Sequence, residues 1–102
     1  MDAASVQFVL FGLTAALYGE VSVERGRIQQ SNFHDYRMLR IDQVPKIDVH
    51  LVKSGEAPGG IGEAAVVGGP PALRNAIYAA TGIALRRLPI DRRLIAEKKS
   101  WL

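Results

Sequence analysis

The feature that most constrains this chain is its punctuation between residues 58 and 71. A glycine loop, Pro58-Gly59-Gly60-Ile61-Gly62-Glu63, is followed after a short apolar run by Gly68-Gly69-Pro70-Pro71. Glycine weakens a helix through its entropy, and proline through its missing N–H and its ring, so a helix started at residue 62 is expected to break at residues 68–71. The second helix is therefore predicted to begin at Pro70-Pro71, where a fixed φ suits a first turn. Leu73, Ile77 and Ala80 would form its apolar stripe, and Gly82 would close it in the left-handed conformation. The glycine loop ends on a carboxylate. Residues 59, 60 and 62 lack a Cβ, can adopt positive φ, and can bring amide N–H groups close to a polar or anionic group, so the loop with Glu63 is a candidate site.

The rest of the chain reads in order as α+β. Val6-Gln7-Phe8-Val9-Leu10-Phe11-Gly12-Leu13-Thr14-Ala15-Ala16-Leu17 is apolar almost throughout. It falls short of the ~20 predominantly apolar residues of a membrane span. A secretory leader would need basic residues ahead of it, whereas Asp2 is the only charge before Glu20 and the first basic residue is Arg25. A soluble chain without a signal peptide is expected, its first helix buried on most of its surface. Glu20-Val21-Ser22-Val23-Glu24 alternates with period two, Arg25-Gly26 makes a turn, and Arg27-Ile28-Gln29 returns as the second strand of a hairpin. Residues 31–43 look irregular. After Pro45, Lys46-Ile47-Asp48-Val49-His50-Leu51-Val52 reads as a half-buried strand with Ile47, Val49 and Leu51 facing a core together. Residues 86–89 return extended, and Asp91 is placed to cap a short helix from Arg92 to Lys98.

Composition limits the functional classes. A chain of 102 residues is one domain at most, and 48% hydrophobic residues suffice for a core. With no cysteine, neither a disulfide framework nor a thiolate metal site is available. His34 and His50 are the only histidines, and their separation fits no zinc pair, so no metal ligand is assigned. The net charge of +3 is carried by the end of the chain: residues 85–102 hold six Lys or Arg against Asp91 and Glu97. This basic tail, residues 91–102, has only Trp101 as an aromatic and no nucleic-acid-binding signature, so a solvated surface outweighs nucleic-acid contact.

Two plainer readings compete for the glycine loop. Gly60-x-Gly62-x-x-Ala65 satisfies the dinucleotide fingerprint, which requires a strand before it and a helix starting on it. Ser54-Gly55-Glu56-Ala57-Pro58 reads as a turn-forming approach instead, and residues 68–71 oppose the helix. The other reading is a surface turn with Glu63 solvated and idle.

Several pieces in order carry a resemblance that outweighs both. Phe11-Gly12-Leu13-Thr14-Ala15-Ala16-Leu17-Tyr18-Gly19-Glu20, Gln30-Ser31-Asn32-Phe33-His34-Asp35-Tyr36, the loop from Gly59 to Glu63, Pro71-Ala72-Leu73 through Gly82, and Leu88-Pro89-Ile90 are spaced along roughly residues 5 to 90. Together they resemble the C-terminal end of the molybdopterin-binding large subunit of the xanthine dehydrogenase and aldehyde oxidase family. The likeness is closest to that family's isoquinoline 1-oxidoreductase beta-subunit branch. The resemblance implies a fragment of the molybdenum-cofactor-binding domain, with the buried first helix, a hairpin and further strand, the glycine loop and a second helix. It implies that Glu63 is the catalytic base, that Gly60, Ile61 and Gly62 lie against the molybdenum-molybdopterin cofactor, and that the reaction hydroxylates an aldehyde or an electron-poor N-heterocycle. Such a base needs a pKa raised toward neutrality and hydrogen-bond reach to the proton it takes.

The chain departs from the family pattern in three ways. Gln7 and Phe8 stand where a small pair usually precedes the first helix. Ala64-Ala65-Val66-Val67-Gly68-Gly69 replaces a proline-rich run after the glutamate, so a looser loop is expected there. The family's large subunit is also several times longer, and its partners include an iron–sulfur protein whose clusters need cysteines that this chain lacks. The expected partners are therefore the remainder of the large subunit and an iron–sulfur subunit, and the isolated chain is expected to be inactive. Two alternatives stand beside this reading. One is a metal-free, homo-oligomeric binding module derived from the same family. The other is a small stand-alone enzyme pairing Glu63 with His34 or Asp35.

Overall fold

A computed structural model describes residues 3–60 and 62–99. Its elements are helix α1 (Ala3–Leu17), strands β1 (Val23–Glu24) and β2 (Arg27–Ile28), a single 3-10 turn (Ile41–Gln43), helix α2 (Ala64–Thr81) and helix α3 (Arg92–Lys99). Helices plus a two-stranded antiparallel sheet give the α+β content expected.

The apolar opening forms α1. The helix ends where Tyr18 N and Gly19 N both donate to Thr14 O, at 2.9 and 3.0 Å. The hairpin follows in the register Val23 to Ile28 and Glu24 to Arg27. Arg25 and Gly26 both take positive φ, 49° and 76°, which is the geometry that suits a two-residue turn between twisted strands. The Gln30 side chain continues the pairing, accepting from Ser22 N at 2.8 Å and donating to Ser22 Oγ at 3.0 Å.

α2 differs from the sequence expectation. It begins at Ala64 rather than at the prolines, and Pro70 and Pro71 lie inside it. The run from Ala64 to Gly69, expected as a looser loop, is helical. Packing explains the extra turns. A Cβ placed on Gly69 would lie 3.6 Å from the Cα of the buried Gly12, so the two helix backbones meet closely at a pair of glycines. That contact draws the segment before the prolines onto α1, and tertiary burial overrides local preference. The C-terminal end is as expected. Gly82 takes φ 70° and its N–H donates to Tyr78 O at 2.7 Å. Leu73 and Ile77 pack toward the core, whereas Ala80 of the expected stripe is exposed.

The core is small. Ala16, Leu85 and Ile90 are buried, with Leu17, Leu73, Ile77, Ile83 and Ile95 packed around them. Ile90 N donates to Ala16 O at 2.8 Å, and the Arg74 Nε donates to Leu85 O, so residues 85–90 are tied to both long helices. A bend over residues 87–89 contains a cis Leu88-Pro89 peptide, where the sequence suggested a plain extended return. The α1 helix is less covered than expected. Only Gly12, Thr14 and Ala16 are buried among its described side chains and glycine, while Phe11 is exposed, because one helix and one short segment cover only part of its circumference. Gln7 and Phe8 lie within α1 and do not precede it.

The further strand is absent among the described residues. Residues 46–52 belong to no sheet and, although Ile47 and Val49 are half-buried, Leu51 is exposed. The reason is the lack of a partner: the hairpin pairs only with itself. Asp91 caps α3 as expected, its Oδ1 accepting from Arg93 N at 2.9 Å. The Arg93 side chain and N–H together hold the Asp91 carboxyl below its usual range. The last three residues of the basic tail lie outside the described residues.

Candidate functional site

Glu63 is the N-cap residue of α2, with φ −126° and ψ −3°. Its backbone carbonyl accepts the first helical bonds, from Val66 N at 3.0 Å and Val67 N at 3.4 Å. The carboxylate does no capping and, among the described residues, makes no hydrogen bond or ion pair. It is exposed, with Gly59, Gly60 and Gly62 exposed before it. Ile61, expected with Gly60 and Gly62 against a cofactor, lies outside the described residues.

Among the described residues nothing demands glycine in this loop. A Cβ added at Gly59, Gly60 or Gly62 would meet nothing within 4 Å. Gly59 and Gly60 do not take the positive φ that sequence reasoning allowed them. Neither strain nor crowding among the described residues demands glycine here, and the bare Cα positions leave the loop backbone open to close approach. The dinucleotide reading gains a helix at Ala64 but has no strand among residues 44–60, so its strand–loop–helix context is not met.

His34 and Asp35 belong to a different place. The Asp35 carboxylate accepts from Ser31 N at 3.0 and 2.9 Å, from Ser31 Oγ at 3.0 Å and from Asn32 N at 2.9 Å. The bonds from the Asn32 and Ser31 backbones hold its carboxyl at about 2, well under the usual carboxylate range. This is a loop clasp, and the His34 Nε2 lies 3.6 Å from Asp35 Oδ2 beside it. The shallow cavity next to them is lined by residues 33–40, with no contribution from the glycine loop. A larger cleft of about 670 Å3 lies between residues 83–87 and the start of α3, and Glu63 does not line it either. Among the described residues no three His, Cys, Asp or Glu side chains gather as metal ligands.

One cluster had no signal in the sequence. The Arg37 Cζ lies 4.3 Å and the Arg92 Cζ 5.3 Å from the centroid of the Tyr18 ring, and Arg92 Nη2 donates to the Tyr18 hydroxyl at 2.6 Å. Positions 18, 37 and 92 share no local spacing, so only folding brings them together. The cluster fixes the end of α1 to the start of α3. No helix among the described residues is long and apolar enough to cross a membrane.

Comparison with known proteins places these features in a lineage. No protein-family model matches the chain. It is 44% identical over 92 residues to the isoquinoline 1-oxidoreductase subunit beta of Brevundimonas diminuta, a match covering 90% of this chain and 12% of that protein. It is 35% identical to the membrane-bound aldehyde dehydrogenase [pyrroloquinoline-quinone] of Gluconacetobacter polyoxogenes, over 79% of this chain and 10% of that protein. A putative xanthine dehydrogenase molybdenum-binding subunit of Escherichia coli (strain K12) is 28% identical, over 85% and 12% respectively. The chain therefore matches only about 10–12% of the length of these relatives. Over most of its residues the chain is similar to one short segment of large subunits of the xanthine dehydrogenase and aldehyde oxidase family of molybdenum hydroxylases.

Proposed function

We propose that this chain is the part of a molybdenum hydroxylase large subunit that supplies the proton acceptor of the active site, Glu63. The observation that carries the reading is a carboxylate at the start of α2 that makes no hydrogen bond or ion pair among the described residues, next to glycines that none of those residues crowds. The chain is one portion of the molybdopterin-binding domain, and activity belongs to the assembly with the remainder of the large subunit and an iron–sulfur subunit.

The residues present fit one wall of such a site and no more. The amides of Gly60 and Gly62 make no hydrogen bond among the described residues and can meet the polar edge of a molybdenum-molybdopterin cofactor, with Ile61 between them. No cluster of metal-ligating side chains accompanies them among the described residues. When bound, the cofactor supplies the oxidising centre and the oxygen delivered to the substrate. Glu63 accepts the proton released as the new carbon–oxygen bond forms, and burial of the loop by the remaining polypeptide is what would raise its proton affinity for that role. The substrate is an aldehyde or an electron-poor N-heterocycle, classes suggested by the names of the relatives.

The test is Glu63→Gln in the complete enzyme. Turnover should fall by about 10²- to 10⁴-fold, the usual contribution of a positioned acid or base, with molybdenum content unchanged. Undiminished turnover removes Glu63 from the role. Molybdenum analysis is needed in its own right, because one relative's name carries pyrroloquinoline quinone. A second reading, a metal-free homo-oligomeric module, is favoured by the exposed Phe11, Val67 and Tyr78 side chains of α1 and α2. A monodisperse oligomer without metal, indifferent to any longer partner chain, would select it.

A further inference from the structure

The chain leaves apolar surface and main-chain groups unused in one continuous stretch. From residue 44 to residue 60 no helix or strand is formed. Residues 46–52 make no backbone hydrogen bond with any described residue. Yet this stretch keeps the signature of a strand. Ile47 and Val49 are half-buried while Lys46, Asp48 and His50 are exposed, and Lys46 Nζ lies 3.6 Å from Asp48 Oδ2, so side chains two apart share a face. Leu51 and Val52 are 74% and 90% exposed.

The chain as a whole is under-buried in the same sense. Its radius of gyration is 16.6 Å, against roughly 13 Å for a compact domain of this length. Ile41 is 93% and Phe33 85% exposed, and among the described residues three hydrophobic side chains are buried. A strand pattern that is apolar on one face and unpaired on both edges is stable in water only when something pairs with it. A source of such a partner is at hand in the first relative, which has about seven eighths of its length beyond the matched segment.

We propose that residues 46–52 add as a strand to a sheet edge formed by the remainder of the large subunit. Main-chain hydrogen bonds supply the pairing, and Ile47, Val49 and Leu51 face the core of that sheet. This rests on the reading of the chain as part of a large-subunit assembly. It goes further by naming the docking element and its mode, strand addition. It also restores the sheet partner that the sequence pattern calls for and the isolated chain lacks.

The experiment recovers the tagged 102-residue chain from its host, identifies co-purifying chains and bound molybdenum, and compares amide hydrogen exchange in residues 46–52 with that of the chain alone. Complex formation by Val49→Pro and His50→Pro variants is measured beside it. Successive N–H groups of a strand point to opposite edges, so pairing on one edge is broken by one of these prolines and much less by the other. Neither should alter the helix content of the chain alone, because neither amide is bonded there.

The expected result is slowed exchange in residues 46–52 within a complex containing a longer molybdenum-binding chain, with at least one proline variant weakened by about 100-fold. A molybdenum-containing complex in which these amides exchange as in the free chain overturns strand addition and leaves the Glu63 reading standing. So do two prolines without effect. Protection in a complex of this chain with itself alone, without metal, overturns both, as does recovery of the chain unaccompanied.

Discussion

Replacing Pro71 with alanine tests the least expected feature of the fold, a helix that continues through two prolines. Pro71 is eight residues into α2, past the first turn whose N–H groups lack intrahelical partners, so an alanine N–H there would reach the Val67 carbonyl. An interior proline costs about 3 kcal/mol relative to alanine. Proline returns ~0.4–1 kcal/mol of this by restricting the unfolded chain. Pro71 is exposed, so its ring takes no packing with it, and the net gain for Pro71→Ala is about 2 kcal/mol. At roughly 4–8 °C per kcal/mol for a domain near this size, the thermal midpoint should rise by on the order of 10 °C. Thermal unfolding followed by far-UV circular dichroism measures it. Pro70→Ala should gain less, because Pro70 is half-buried beside Arg74 and Leu85. An unchanged or lowered midpoint for Pro71→Ala would mean that the helix starts at the prolines and that the Gly12–Gly69 contact does not hold residues 64–69 in it.

Gly19→Ala should destabilise the chain. Its Cβ would lie 2.9 Å from Ala15 Cα and 3.1 Å from Ala15 O, and backbone atoms cannot swing aside, so a loss of about 1–3 kcal/mol is expected in the denaturant midpoint. The Asp35 clasp gives a pH dependence of definite sign. Its folded pKa, about 2, is below the usual carboxylate value, so its stabilising contribution is complete above that usual value and is lost as the pH falls through about 2. Carboxyl carbon shifts in an NMR titration should place the Asp35 midpoint near 2, and a midpoint in the ordinary range would mean that the Ser31 and Asn32 bonds do not form in solution.

Features written into a few neighbouring residues were legible beforehand. The Arg25-Gly26 turn, the left-handed close at Gly82 and the Asp91 cap each depend on φ preference or on a side chain reaching an N–H two residues away. The glycine loop was legible as a stretch without side chains, and Glu63 as its carboxylate. Its position as N-cap of a long helix was not, because the same glycines and prolines that identify the loop argued against a helix there.

The sequence alone determined the lineage and the local joints, since both reside in residue identities at short range. Tertiary structure decided the rest. The extent of α2 follows from the close approach of Gly69 to Gly12, a contact between residues 57 positions apart that overrides proline's local cost. The clasp of Tyr18 by Arg37 and Arg92 depends on chain folding in the same way. The strand pattern of residues 46–52 is in the sequence, but a strand is a relation between two segments, and among the described residues no second segment pairs with it.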